Sequence, residues 1–133
     1  MDVLRGTPTC DFAFDGETMR ATFRQGVHVK GADAREHIAL MRELLHGRAV
    51  PVLIDMHEIA SQDREARAVY AGEDAVAFTA RCAIVISSPV ARVIGSFFLG
   101  FNKPLYPTRL FTSREEAERW LASPPSTPMA HDG

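Results

Sequence analysis

Residues 82–111 read CAIVISSPVARVIGSFFLGFNKPLYPTRLF, and this stretch decides the fold. Its apolar, β-branched opening (82–86) predicts a strand that is buried on both faces. Ser88 predicts an N-cap with Pro89 in the first helical position, and the apolar helix that follows ends at a Gly, Asn and Pro stop. Residues 109–111 predict a last strand. Strand, helix and strand in this order indicate a parallel crossover and therefore an α/β fold.

The residues upstream predict a hairpin that leads into the same sheet. Phe12 and Phe14 precede Asp15-Gly16, a dipeptide typical of two-residue hairpin turns, and apolar and polar residues then alternate over 19–24. The spacing of Ala34, Ile38, Met41 and Leu45 predicts a helix that ends near Gly47, and residues 50–56 (VPVLIDM) predict a central strand.

Two further helices complete the predicted order. One begins near Asp63 and continues through Gly72 to about Ala77, and the other opens at Ser113 with a capping-box pattern and buries Ala117, Trp120 and Leu121. The predicted fold is α/β: a mixed sheet with an N-terminal antiparallel hairpin followed by alternating helices and strands (β-β-α-β-α-β-α-β-α). We expect one domain over 1–122 and a mobile C-terminal tail over 123–133.

Composition narrows the class of protein. With 133 residues and 46% hydrophobic content, the chain can bury one sizeable core. The 15 basic and 17 acidic residues are spread along it, which argues against nucleic acid as a partner. Cys82 lies in an apolar strand and is expected to be a buried free thiol. No segment is long and apolar enough to span a membrane. We expect a soluble, cytoplasmic protein.

These elements together resemble a known family. The hairpin, the strand VLIDM, the helix opening near Asp63, the strand CAIVIS, and the segments FFLGFNKP and PTRLF look like a STAS or SpoIIAA-like domain. More narrowly, they look like the small uncharacterised bacterial proteins described as STAS/SEC14-like. The resemblance covers residues 12–121. It implies a SpoIIAA-like sandwich that works by binding other proteins, as anti-sigma-factor antagonists do, and not by catalysis.

The chain departs from that family at its phosphorylation switch. In the antagonists, the helix after the Asp-bearing strand opens with Asp-Ser-Ser-Gly, and a partner kinase phosphorylates a serine there. Asp55 matches the strand position and Asp63 the acidic position, but Arg64, Glu65 and Ala66 replace Ser-Ser-Gly. The resemblance therefore implies no usual phosphorylatable serine. Glu65 is either an ordinary first-turn glutamate or a fixed negative charge in place of phosphoserine.

The carboxyl ends of the predicted strands offer one candidate ligand site. Ser87, Ser88 and the free N–H groups of the helix from Pro89 form a candidate rim for an anion or small ligand, with Arg92 beside it. Plain capping by the serines explains the same residues. The simplest role of residues 102–107 is a rigid crossover to the last strand, and the alternative is that Lys103 and Arg109 are ligand contacts.

No catalytic constellation is recognisable. The five histidines are scattered, and no HExxH, paired CxxC or nucleophile elbow occurs. His57 and Glu58 are neighbours on an extended segment and point to opposite sides. We therefore expect no enzyme, no metal site and no cofactor.

The helix at 89–101 carries more apolar surface than one sheet can cover. At about 100° per residue, Val90, Val93, Ile94, Phe97 and Phe101 form a stripe predicted to seal the sheet. A second stripe forms a candidate interface: Ala91, Gly95, Phe98 and Leu99. It packs against this chain's own Tyr106, Trp120 and tail, or forms a homodimer contact, or docks a different protein or an acyl chain.

Two functional hypotheses follow from these features. The first is a non-enzymatic, STAS-like interaction module in bacterial regulation, homodimeric or docked to an unidentified regulatory protein. The second is a carrier of a lipid or a small hydrophobic or anionic ligand, which the SEC14 part of the resemblance implies. A carrier requires an internal apolar cavity of at least about 300 Å³.

Overall fold

The computed structural model describes residues 2–101 and 105–123, and the side chains of 95 and 97–101 are not part of that description. The strands are β1 (Val3–Gly6), β2 (Cys10–Phe14), β3 (Met19–Phe23), β4 (His28–Val29), β5 (Val50–His57), β6 (Ser61–Gln62), β7 (Thr79–Ile86) and β8 (Thr108–Phe111). The helices are α1 (Gly31–Leu45), α2 (Arg64–Ala71), α3 (Glu73–Val76), α4 (Pro89–Phe101) and α5 (Arg114–Ala122).

Six of the strands form one mixed sheet in the order β1-β2-β3-β5-β7-β8. The pairs β1–β2 and β2–β3 are antiparallel, whereas β3–β5, β5–β7 and β7–β8 are parallel. The short strands β4 and β6 pair separately and in parallel. The predicted mixed α/β sheet with an N-terminal antiparallel hairpin is therefore confirmed.

Helices cover the sheet on two faces because successive side chains of a strand alternate in direction. Val52 of β5 lies in the larger core cluster, together with the apolar face of α1 and Ala91 and Ile94 of α4. Leu53, the next residue, lies in a second cluster formed with α5. The predicted central strand over 50–56 is confirmed, since both of its faces are covered.

The predicted helical faces of α1 and α5 are also confirmed. Ala34, Ile38, Met41 and Leu45 are all buried, and α1 ends at His46, a C-cap in the left-handed region, followed by Gly47 at φ +81°. Ala117, Trp120 and Leu121 are buried against the opposite face of the sheet.

The backbone differs from the predicted one in its short strands, at Gly72 and at the hairpin turn. β1, whose four residues are all exposed, is absent from the predicted order, as is the two-residue strand β6. The helix predicted through Gly72 is two helices, because Gly72 is extended (φ −83°, ψ 179°) and ends α2 before α3 begins. The hairpin turn is longer than two residues: β2 ends at Phe14 and β3 begins at Met19, and Asp15 Oδ1 accepts the N–H groups of Glu17 and Thr18.

Both cysteines are free and buried, as expected for Cys82. No helix in the described part of the chain is long and apolar enough to cross a membrane. The predicted tail, apart from Ser123, and Lys103 lie outside the described residues.

Candidate functional site

The serines at the carboxyl edge of the parallel strands cap helices. Ser88 Oγ accepts the N–H of Ala91 at 3.1 Å, and Ser113 Oγ accepts the N–H of Glu116 at 3.2 Å. Both hydroxyls therefore satisfy main-chain donors that the first turn of a helix leaves unpaired. Ser87 is exposed just before α4. Of the predicted anion rim, capping therefore accounts for Ser88.

Arg92 of that rim lines an open groove of about 450 Å³ between α4 and α5, along β8. We call it the β8 groove and define it by Arg92, Arg109, Leu110, Phe111, Glu116 and Trp120. Ser87 and Ser88 do not line it. Arg109 lies on the predicted last strand. The place of Trp120 in the groove could not be predicted, because its spacing in the sequence indicates only that it faces the core from α5.

Aromatic and cationic side chains stack along the α5 side of this groove. The Arg109 guanidinium lies 5.3 Å from the ring centre of Phe111 and 5.9 Å from that of Trp120. Arg81 lies 4.8 Å from the Trp120 ring centre and donates to the Trp120 carbonyl at 2.5 Å. These contacts fix the indole, which is only 8% exposed. Its Nε1–H has no acceptor among the described residues.

The positions that match the family's switch make ordinary structural contacts. Asp63 is the N-cap of α2, and its Oδ1 accepts the N–H of Ala66 at 2.7 Å. Asp55 pairs with Arg114 at 3.3 Å and accepts the N–H of His57 at 2.9 Å.

Glu65 pairs with Arg35 and lies directly over Gly31, the first residue of α1. Its carboxylate thus complements the positive end of the α1 dipole. Ser61, the nearest hydroxyl, is bonded to His28 Nδ1 at 2.7 Å.

The outward face of α4 differs from the predicted one. Ala91 is fully buried and Ile94 is 7% exposed, whereas Val90 and Val93 are 47% and 54% exposed. The prediction that Val90 and Val93 seal the sheet is therefore wrong. Ala91, one of the four candidate interface residues, is therefore buried in the core of this chain and does not reach a partner.

The exposure of Gly95, Phe98 and Leu99 lies outside the description, and the interface they were assigned stays a prediction. Because α4 is apolar on most sides, its periodicity alone does not select which side meets the sheet.

A buried polar cluster lies within the larger core. His37 is 1% exposed, its Nδ1 lies 2.6 Å from the Tyr70 hydroxyl, and its Nε2 lies 2.9 Å from Thr9 Oγ1 and 3.4 Å from Thr7 Oγ1. Burial lowers the pKa of His37 from 6.5 to about 4, against a small opposing effect of Asp33. The imidazole is therefore neutral at pH 7 and joins α1 to α2 and to the turn between β1 and β2.

The space enclosed beside this cluster is small. The cavity that His37, Tyr70 and Cys82 help to line measures about 30 Å³, room for a single water molecule or two. The same described part brings no three metal-ligating side chains within reach of one ion.

Comparison with known proteins assigns the chain to a family. The family described as a domain of unknown function, DUF7793, matches residues 12–124, almost the whole chain. The chain belongs to the DUF7793 family. No curated protein matches it.

One solved structure has a fold similar to that of this DUF7793 chain. An uncharacterised DUF3478 protein from Shewanella loihica PV-4, with a SpoIIAA-like fold, is 14% identical at a TM-score of 0.51, over 91% of this chain and 92% of its own. The predicted SpoIIAA-like fold is thereby confirmed. A protein of unknown function from Arthrobacter sp. FB24 is 34% identical over 84% of this chain and 96% of its own, at a TM-score of 0.31.

Proposed function

We propose that this DUF7793 protein is a non-enzymatic interaction module of bacterial regulation that works as a homodimer through the outer face of α4. The observation that carries the proposal is the exposure of Val90 and Val93 on the most apolar helix of the chain. Leu105, just beyond the helix, is 67% exposed. Exposed aliphatic side chains on an apolar helix favour a protein contact.

A two-fold contact suits this surface. In a homodimer with a two-fold axis the same patch meets itself, so an apolar patch is automatically complementary in chemistry. Burying the exposed parts of both valines on both protomers contributes on the order of 3 kcal/mol.

The switch region supports an interaction that is not controlled by serine phosphorylation. Asp63 caps a helix, Asp55 pairs with Arg114, and Glu65 pairs with Arg35. These three side chains stabilise the folded chain through contacts that need no kinase.

The carrier hypothesis has less support. It requires a cavity about ten times larger than the 30 Å³ enclosed within the described core. No other described feature favours it over the interaction module.

Substitution of the two valines tests the proposal. Val90→Asp with Val93→Asp places carboxylates on the outer face of α4, where neither side chain contributes to the sheet core, so the fold should survive. The variant should be monomeric at concentrations where the wild type is dimeric. Val3→Asp is a matched control, because Val3 is 43% exposed on β1, at the opposite edge of the sheet. A wild type that is monomeric at all concentrations would refute the homodimer.

A further inference from the structure

We propose that the β8 groove binds an extended acidic peptide of another protein, which adds a strand to the edge of the sheet at β8. This proposal goes beyond the homodimer, because it uses a different surface and does not depend on α4 self-association. Four observations carry it: the free edge of β8, two cations without carboxylate partners, an indole N–H without an acceptor, and the sides of the groove on which these groups lie.

The first observation is the main chain of β8. It is the outermost strand of the sheet next to β7, and within residues 2–101 and 105–123 no strand pairs with its other edge. The Cys82 N–H donates to the Pro107 carbonyl at 2.8 Å, which sets the phase of the parallel ladder. Alternate residues bond inward, so the N–H and C=O groups of Thr108 and Leu110 point to the outer edge. Such an edge is a template for an added strand.

The second observation is charge. Arg92 and Arg109 are both exposed, and neither forms an ion pair with a carboxylate of the described residues. In the other large surface hollow, over β1–β3, Arg20 is clamped between Glu118 and Asp15. The β8 groove contains one acidic side chain, Glu116, against its two arginines. Its excess of positive charge favours an acidic ligand.

The third observation is the Trp120 indole. Its Nε1–H is buried without a described acceptor, and an unpaired buried donor costs about 1–3 kcal/mol. Trp120 lines the groove, so a carboxylate bound beside its ring would lie near this unpaired donor.

The fourth observation is that Arg92 lies on one face of the sheet, and Arg109 and Trp120 lie on the other. Arg92 belongs to α4, which packs on one face of the sheet, whereas Arg109 stacks near Trp120 of α5 on the other face. Side chains of a strand added beside β8 alternate between the two faces. One acidic residue of the peptide therefore meets Arg92, and the acidic residue next to it meets Arg109 beside the Trp120 ring. The groove selects two consecutive acidic residues in an extended segment.

A second copy of this chain fits the same edge poorly. Antiparallel pairing of two β8 strands would bring two copies of Arg109 together, and like charges at close range are unfavourable. A small anion would use the arginines but leave the strand edge unpaired.

Titration of a defined peptide tests the proposal. The probe is acetyl-Val-Thr-Asp-Glu-Val-Thr-amide, and the readout is the fluorescence of Trp120, the chain's one tryptophan. We expect saturable binding with a dissociation constant below about 1 mM, and no binding when Asn and Gln replace the acidic pair. N-methylation of one alternate set of peptide amides should abolish binding, and N-methylation of the other set should not.

Matched arginine variants locate the site. Arg92→Gln and Arg109→Gln should each weaken binding about three- to tenfold, and more so at low salt. Arg42→Gln is the control, since Arg42 is an exposed arginine on α1 outside the groove, and it should leave the affinity unchanged. Thermal melts check that Arg109→Gln is folded, and Arg92→Gln, which removes no described contact, gives the same test independently.

Several outcomes would overturn the proposal. The first is that the acidic peptide does not bind, and the second is that peptides methylated in either set bind equally well. The others are that succinate or inorganic phosphate binds as tightly as the peptide, or that the peptide dissociates a protein dimer. The Val90→Asn, Val93→Asn protein, which lacks the exposed valines but adds no charge beside Arg92, should bind the peptide as the wild type does. The failure of the homodimer and the failure of the peptide site are therefore distinguishable.

Discussion

Titration of His37 should make the stability of this protein fall steeply below pH 6.5. The ordinary pKa of 6.5 falls to about 4 in the folded chain, because burial disfavours the charged imidazolium. The unfolded chain therefore binds the proton more tightly than the folded chain. The contribution of neutral His37 is complete above pH 6.5 and is lost progressively as the pH falls from 6.5 towards 4.

The magnitude follows from the two pKa values. One pKa unit corresponds to about 1.4 kcal/mol, so His37 alone lowers the free energy of unfolding by about 2 kcal/mol between pH 7.5 and pH 5. His37 contacts Tyr70 and Thr9 through its two ring nitrogens, and protonation leaves it with two donors and no acceptor capacity.

Urea unfolding at the two pH values measures the effect. His37→Gln keeps a polar side chain that does not titrate, so the stability lost between pH 7.5 and pH 5 should be about 2 kcal/mol smaller than in the wild type. His28→Gln is the matched control, because His28 is exposed and bonded only to Ser61 among the described contacts. Equal pH dependence in the wild type and His37→Gln would refute the buried neutral imidazole.

Two further predictions concern the core and a helix cap. Leu53→Ala should lower the free energy of unfolding by about 2–5 kcal/mol, because Leu53 of the central strand β5 is fully buried against α5. Chemical denaturation measures the loss, and a loss under about 1 kcal/mol would contradict that packing. Asp63→Ala should cost about 0.5–2 kcal/mol by removing the N-cap of α2, and Asp63→Asn, which keeps an acceptor, should cost less; equal losses would argue against capping.

The sequence predicts best those elements whose burial is fixed by local pattern. Residues 50–56 and 82–86 are continuous apolar runs, and both are central strands covered on two faces. The 3.6-residue spacing from Ala34 to Leu45 and the Ser113 cap likewise depend only on neighbouring residues.

The features that were missed depend on tertiary contacts. β1 is a strand because it pairs with β2, although all four of its residues are exposed and no alternation marks them. β4 and β6 have two residues each, too few for any periodicity. The rotation of α4 is set by the sheet, which takes Ala91 and Ile94 and leaves Val90 and Val93 outside.

Some features of the candidate site could likewise be predicted from the sequence, and others could not. The capping roles of Ser88 and Ser113 could be predicted, because each cap is made within one turn of helix. The β8 groove could not, because Arg92, Arg109 and Trp120 are brought together only by the placement of α4 and α5 on opposite faces of the sheet.

The solution mass of the protein tests the central claim most directly. Sedimentation equilibrium over a range of concentrations should give twice the chain mass of 14.7 kDa for the wild type and for Val3→Asp, and a single chain mass for the Val90→Asp, Val93→Asp variant with an unchanged circular dichroism spectrum. A folded wild type that sediments as a single chain at every concentration, or a double variant that still dimerises as tightly, would contradict the account.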